Sequence, residues 1–233
     1  MRTFLLAAVM LVAPASTEAA TRNFGITGFT KIRVEGPYRV SLTTGVPPFA
    51  RATGSAAALD RVAVEMRGDT LIVHSNNSSW GGYPGADAGA VEINVGTHDL
   101  SAAWLNGSGS LAIDRVKGLS FALSVQGSGA SEIGSAAIDQ LSVSVVGSAS
   151  AKLGGQALKL TAIVRGISTL DAAGLAVQDA TVGADGSATV DANVSGTAKL
   201  DATGPATIRL TGRPSCTLKV SGSTSVSGCK SGQ

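Results

Sequence analysis

A glycine returns about every twenty residues through the second half of this 233-residue chain, at Gly107, Gly127, Gly147, Gly166, Gly186, Gly204 and Gly222, in steps of 20, 20, 19, 20, 18 and 18. A fixed period of this size is the mark of a coiled architecture, because one unit cannot bury its own apolar face and must stack on the next. Aligning the units on those glycines shows why the coil is made of strand. Two positions before each glycine stand Leu105, Val125, Val145, Val164, Ala184, Ala202 and Val220, and four before stand Ala103, Leu123, Val143, Ala162, Val182, Leu200 and Leu218. The residues between are mostly small or polar, so the alternation has a period of two, with one face buried. After the glycine comes a serine in most units, and the apolar face resumes at Leu111 and Ile113, Ile133, Leu153, Leu170, Val190, Ile208 and Leu210.

Each unit therefore reads as strand, Gly-Ser bend, strand. A second break falls at Gly118, Gly134, Gly154, Gly174, Gly196 and Gly212. Units stacked at strand spacing form a rod of roughly 30 Å over the seven marked glycines. The expected fold is all-β: a right-handed parallel β-helix, or solenoid, of 18–20-residue coils over residues 101–233, preceded by a more irregular β-rich region over 24–100. A sandwich of short antiparallel strands also carries regular turn signals, but it need not keep a constant period and phase. The 30 glycines and the 4% aromatic share suit a narrow interior filled by small side chains.

Residues 1–19 read as a secretory signal: Arg2 opens it, an apolar run from Phe4 to Ala13 follows, and Thr17-Glu18-Ala19 or Ala13-Pro14-Ala15 supplies small residues for cleavage, which places the cut between Ala15 and Ala20. The apolar run is too short to span a bilayer. No cysteine stands near the cut for lipid attachment, so the expected location is periplasmic or secreted. Without the signal the chain keeps 17 basic and 15 acidic side chains and no basic cluster, which argues against nucleic acid as a partner. Cys216 and Cys229 are the only cysteines. In an oxidising compartment they are expected to pair and to pin the last coil, which lacks a neighbour on one side. A redox or metal pair is the poorer reading, since the spacing is not C-x-x-C and no histidine is near.

In the first half, Phe29 to Glu35 and Tyr38 to Leu42 alternate about the Gly36-Pro37 bend, with apolar residues two and four before the glycine as in the later coils. Val62–Met66 and Thr70–Val73 flank Arg67-Gly68-Asp69 as a tight hairpin. Val91, Ile93 and Val95 form a strand that leads into the repeat. Residues 74–90, rich in Gly, Ser and Asn, read as a surface loop or lid carrying Trp80 and Tyr83. The runs FTKIRVEGPYRVSLTTG, LDRVAVEMRGDTLIVHS and VEINV, followed by GSGS, GSGA and GSAS, resemble the head GIN domain proteins, also called auto-transporter adhesins, over residues 24–230. The resemblance implies a secreted or envelope β-helix of bacteria and brings no catalytic motif. Ile167 and Pro205, which follow their glycines, depart from the Gly-Ser-Gly pattern.

Five residues after each glycine lies a column expected to face outward: Ala112, Glu132, Lys152, Asp171, Asp191, Arg209 and Ser227. Glu132 and Lys152 are expected to pair across coils, and Asp171 and Asp191 to stack as like charges. Asp201 is expected near them, and Lys199 and Arg209 are the cations that balance their charge. A calcium site or a carboxylate pair acting on a glycan is the sharp reading of this cluster, and a solvated face the plain one. Trp104 falls at an outward position, expected to pack at the junction between the two halves. Arg67-Gly68-Asp69 spells an adhesion tripeptide that a hairpin turn already explains. His74 and His98 show no metal or triad spacing, so no cofactor or metal is expected. The expected function is a non-enzymatic envelope binding or structural module. Its candidate ligand contacts are Trp80, Tyr83, Asp171 and Asp191, and its expected partners a cell-envelope glycan or protein, with self-association through exposed ends a further option. A polysaccharide-active β-helix enzyme is the alternative.

Overall fold

A computed structural model describes residues 19–76 and 89–230. The secretory signal, Ala19 apart, and Trp80 and Tyr83 lie outside the described residues. The strands in chain order are β1 (Ala20–Phe24), β2 (Lys31–Glu35), β3 (Arg39–Thr44), β4 (Phe49–Gly54), β5 (Val62–Arg67), β6 (Thr70–Ser75), β7 (Glu92–Thr97) and β8 (Ala102–Gly107). They continue as β9 (Ser110–Gly127), β10 (Ala130–Gly147), β11 (Ser150–Gly166), β12 (Thr169–Gly186), β13 (Thr189–Thr203), β14 (Thr207–Thr211), β15 (Ser215–Ser221) and β16 (Ser225–Ser227). Among the described residues one short helix, α1 (Ala56–Asp60), interrupts them.

From β9 to β13 each coil is a single long strand, bent where the alternation breaks. In β10 the inward side chains are Ser131, Ile133, Ala136, Ile138, Leu141, Val143 and Val145. Adjacent residues both face outward at Gly134-Ser135, at Asp139-Gln140 and around Gly147-Ser148. A strand that shows two successive side chains to solvent has turned a corner, because regular strand alternates. The coil therefore has three sides: a first after the Gly-Ser bend, a short second, and a third before the next glycine. The corner at Asp139-Gln140 has no glycine, and for that reason the sequence pattern shows two bends where there are three.

Coils stack in parallel register. On the third side Phe121 lies beside Leu141, Leu141 beside Leu160, and Val125, Val145 and Val164 follow one another. These columns form one continuous core, and each buried Val or Leu contributes about 1.5–3 kcal/mol. The marked glycines form a spine. Gly36, Gly107, Gly127, Gly147, Gly166, Gly186, Gly204 and Gly222 all have positive φ, from 83° to 120°. A Cβ on Gly127 would meet Gly107 O at 2.6 Å, and one on Gly147 would meet Gly127 O at 2.5 Å. Backbone of one coil sits directly on backbone of the last, which only glycine permits at this dihedral. The second glycine set behaves differently. Gly134, Gly154 and Gly174 stack, but Gly118 pairs with Ile138, Gly196 rests on Gln178, and Gly212 rests on Val194.

The irregular steps of the period have one location. Register shifts fall between Ile133 and Ala136, Lys152 and Gly154, Ala172 and Ala176, and Val177 and Asp179. All flank or cross the second side, while the first and third sides stay in phase.

The first half continues the stack but in a different order. β2 pairs with β8 (Ile32 with Ala103, Val34 with Leu105) and β3 with β9 (Val40 with Leu111), so this early unit is the coil beneath Gly107. The chain then leaves, and β6 and β7 return on the other side of β2 and β3, with Leu71 beside Ile32 and Ile93 beside Val40. Strands from both sides of residues 100 and 101 thus pair with β2 and β3 in one sheet. β5 packs antiparallel on β6 through the expected Arg67–Thr70 hairpin, β4 antiparallel on β7, and β1 on β4. α1, capped by the Ser55 hydroxyl accepting from Ala58 N at 3.1 Å, buries Ala58 and Leu59. This end is closed by changes in strand direction and by a helix, the work of a solenoid cap.

At the other end β16 covers β14, and nothing described covers β15. Leu218 and Val220 hold inward positions there yet are 50% and 42% exposed. Cys216 of β15 and Cys229, just past β16, form the expected disulfide, with a Cα–Cα distance of 5.7 Å. The bridge ties the third side to the first across the last turn.

Candidate functional site

The outward column on the first side forms as expected. Glu132 pairs in register with Lys152, Lys152 with Asp171, Asp171 with Asp191, and Asp191 with Arg209. Lys152 Nζ lies 3.4 Å from Glu132. Arg209 donates twice to Asp191, Nε to Oδ1 at 2.6 Å and Nη2 to Oδ2 at 3.0 Å. That hydrogen bond first, and the charge second, raise the Arg209 guanidinium above its ordinary value. Asp171 instead accepts from the backbone N–H of Ala173 at 3.2 Å.

Two expected members of this cluster are elsewhere. Lys199 pairs with Thr181 and Thr217, and Asp201 with Gly183 and Lys219, all on the third side. The misplacement has a physical cause: counting forward from Gly196 assumes a second glycine column, and Gly196 is not in one. Lys199 is therefore not one of the cations that balance Asp171 and Asp191. Both Asp191 oxygens are already bound by one guanidinium. What remains is an exposed column with two cross-coil ion pairs, Glu132–Lys152 and Asp191–Arg209, whose contribution is small beside the apolar columns behind it. Among the described residues no three His, Cys, Asp or Glu side chains converge as metal ligands.

Trp104 faces outward on the third side, as its parity requires, and the Arg33 guanidinium of the neighbouring coil stands 5.6 Å from its ring centroid. The contact is a cation–π pair, and it clips the coil order described above. The adhesion tripeptide is engaged internally. Asp69 takes Lys31 Nζ at 3.1 Å and the Thr30 hydroxyl at 3.0 Å, and these hydrogen bonds, Lys31 first, hold its carboxyl below the usual range.

The second side, which the sequence did not single out, carries a groove of ≈ 440 Å³. It crosses four coils and is lined by Ala137, Ile138, Asp139, Gln156, Ala157, Leu158, Ala176, Val177, Gln178, Asn193 and Ser195. One outward column runs Ala137, Gln156, Ala176, Asn193 in direct register. Small and amide side chains alternate in it, so alanine leaves a hollow between longer neighbours. Bulges re-aim side chains and recur beside functional sites, and every register shift of the long coils adjoins this side. The steps of 19 and 18 in the glycine spacing are its signal in the sequence. Aligning coils from both ends at once confines the missing residues to this stretch.

Asp179 fixes the groove's far corner. Its Oδ1 accepts from Thr197 Oγ1 at 2.5 Å and Thr197 N at 3.0 Å, and these hydrogen bonds, the hydroxyl first, lower its pKa. A carboxyl whose folded pKa is depressed adds stability above its unfolded pKa and loses it as pH falls through the folded value. Asp179→Ala is therefore expected to lower stability at neutral pH and to flatten the acid branch of a stability–pH curve below the ordinary carboxylate range. An acid branch parallel to that of the parent chain would contradict the role given to this corner.

The sequence profile of the family described as "Putative auto-transporter adhesin, head GIN domain" matches residues 28–214. No curated protein matches the chain. The fold is similar to that of a putative adhesin from Bacteroides fragilis (TM-score 0.80, 18% identity, 91% of this chain and 96% of that one). It is similar also to a putative lipid binding protein from Parabacteroides distasonis (TM-score 0.70, 19% identity, 89% and 95%). A putative adhesin from Parabacteroides merdae gives a TM-score of 0.64 at 17% identity over 90% and 95%.

Proposed function

The chain belongs to the head GIN domain family, and we propose that it works as an exported, non-enzymatic binding module of the bacterial cell envelope. The observation that carries this reading is the groove on the second side. It is a hollow across four stacked coils, on the one side where the coils are irregular, in a rod that is otherwise closely repetitive. Regular sides need only stack, and a departure confined to one side calls for a reason beyond stacking. The Cys216–Cys229 disulfide suits an oxidising compartment. Backbone already paired coil to coil presents the groove with little main-chain ordering on binding, which favours affinity from modest contacts. The purified, oxidised chain is expected to be retained saturably on isolated bacterial envelopes, on the cell-wall or the outer-membrane fraction. Absence of retention on both fractions would overturn the proposal.

A further inference from the structure

We infer that the groove on the second side takes one uncharged, linear glycan laid along the stacking axis. The inference rests on the binding-module reading and adds the chemistry of the ligand. Four polar side chains line the groove without an internal partner: the Asp139 carboxylate and the amides of Gln156, Gln178 and Asn193 make no hydrogen bond or ion pair within the described residues. An amide both donates and accepts, and a carboxylate accepts from paired hydroxyls. A ligand rich in hydroxyl groups answers both. The ≈ 440 Å³ volume lies within the range of about 300–1,000 Å³ usual for ligand sites.

Other occupants fit less well. An acyl chain would cover the amides without satisfying them, and each polar group so covered weakens binding. A polyanion has no counter-charge to meet, since no Lys or Arg is among the lining residues and Asp139 repels it. An added peptide strand needs a free row of backbone N–H and C=O groups, and on this side neighbouring coils already pair with one another. The repeat of the site sets the ligand's direction. Outward positions recur once per coil, about 4.8 Å apart, comparable to the advance of one sugar ring in an extended chain.

The test is calorimetric titration of the oxidised chain with uncharged linear glucans and chitin oligosaccharides from disaccharide to octasaccharide. Polygalacturonate and phosphatidylglycerol vesicles serve as the acidic and lipid arms. Affinity is expected to rise with length until the four coils are filled. Ala176→Arg, a substitution at an exposed site that fills the hollow, should abolish binding. Gln178→Ala/Asn193→Ala should weaken it about tenfold, and Ser142→Arg on the third side should leave it unchanged. Uncharged-glycan binding that survives Ala176→Arg in a normally folded protein would overturn the groove as the site. A preference for polygalacturonate or vesicles, or no oligosaccharide binding at all, would overturn the ligand class. Either outcome leaves envelope retention as the separate measure of the module itself.

Discussion

Gly147→Val is expected to lower the unfolding free energy by about 2–5 kcal/mol, the sum of a side chain at positive φ and an overpacked contact. Gly68→Ala, also at positive φ, is expected to cost only about 1–2 kcal/mol. The two differ in what a Cβ meets. At Gly68 nothing lies within 4 Å, whereas at Gly147 Gly127 O lies at 2.5 Å. No rotamer relieves a clash between a Cβ and a backbone oxygen. Parting the coils would lengthen the Ser148 N to Gly127 O hydrogen bond, now 2.8 Å, and disturb the valine and leucine columns beside it. Denaturant midpoints of the two variants, at unchanged slope, separate the effects. Equal losses would mean that the spine is held by dihedral preference alone and not by contact between coils.

Opening the Cys216–Cys229 bridge has the second large effect. A thirteen-residue separation corresponds to about 3 kcal/mol of chain entropy. In a solenoid that loss falls on the coil concerned, because each coil contacts only its neighbours. Cys216→Ser/Cys229→Ser should therefore free the stretch from β14 onward while the coils from β9 to β12 stay folded. Trypsin is expected to cut after Arg213 and Lys219 in the variant well before it cuts the rest, and the far end, closed by α1 and β5, should be unaffected. An unchanged cleavage pattern would show that β16 alone holds the last turn.

The residues that made the fold legible are those whose spacing is enforced by contact. Glycines at every coil, and the apolar residues two and four before them, are fixed by stacking, so their period survives in the sequence. Glu132, Lys152, Asp171, Asp191 and Arg209 could be placed on one column because they follow the spine by five residues, before any bulge intervenes. Lys199 and Asp201 are misplaced only by a count forward from Gly196, across the bulges near Ala176 and Asp179; counted back five and three residues from Gly204 they fall on the third side with Thr181 and Gly183. The order of the first coils was hidden for another reason. β6 and β7 join the stack outside β2 and β3, and alternation within a strand carries no information about which neighbour it chooses. Arg33 over Trp104 became visible only once that order was known. The groove is made of absences, alanines and shortened coils, and therefore left no motif.

The most direct test of this account is a carboxylate footprint of the chain while it is retained on isolated envelopes, with the free chain as reference. Asp139 lines the groove, while Glu132 and Asp171 stand on the outward column of the first side. Asp139 is expected to be shielded from carbodiimide labelling on binding, and Glu132 and Asp171 to label as in the free chain. Shielding of Glu132 and Asp171 with Asp139 still reactive would place the binding surface on the charged ladder and contradict it.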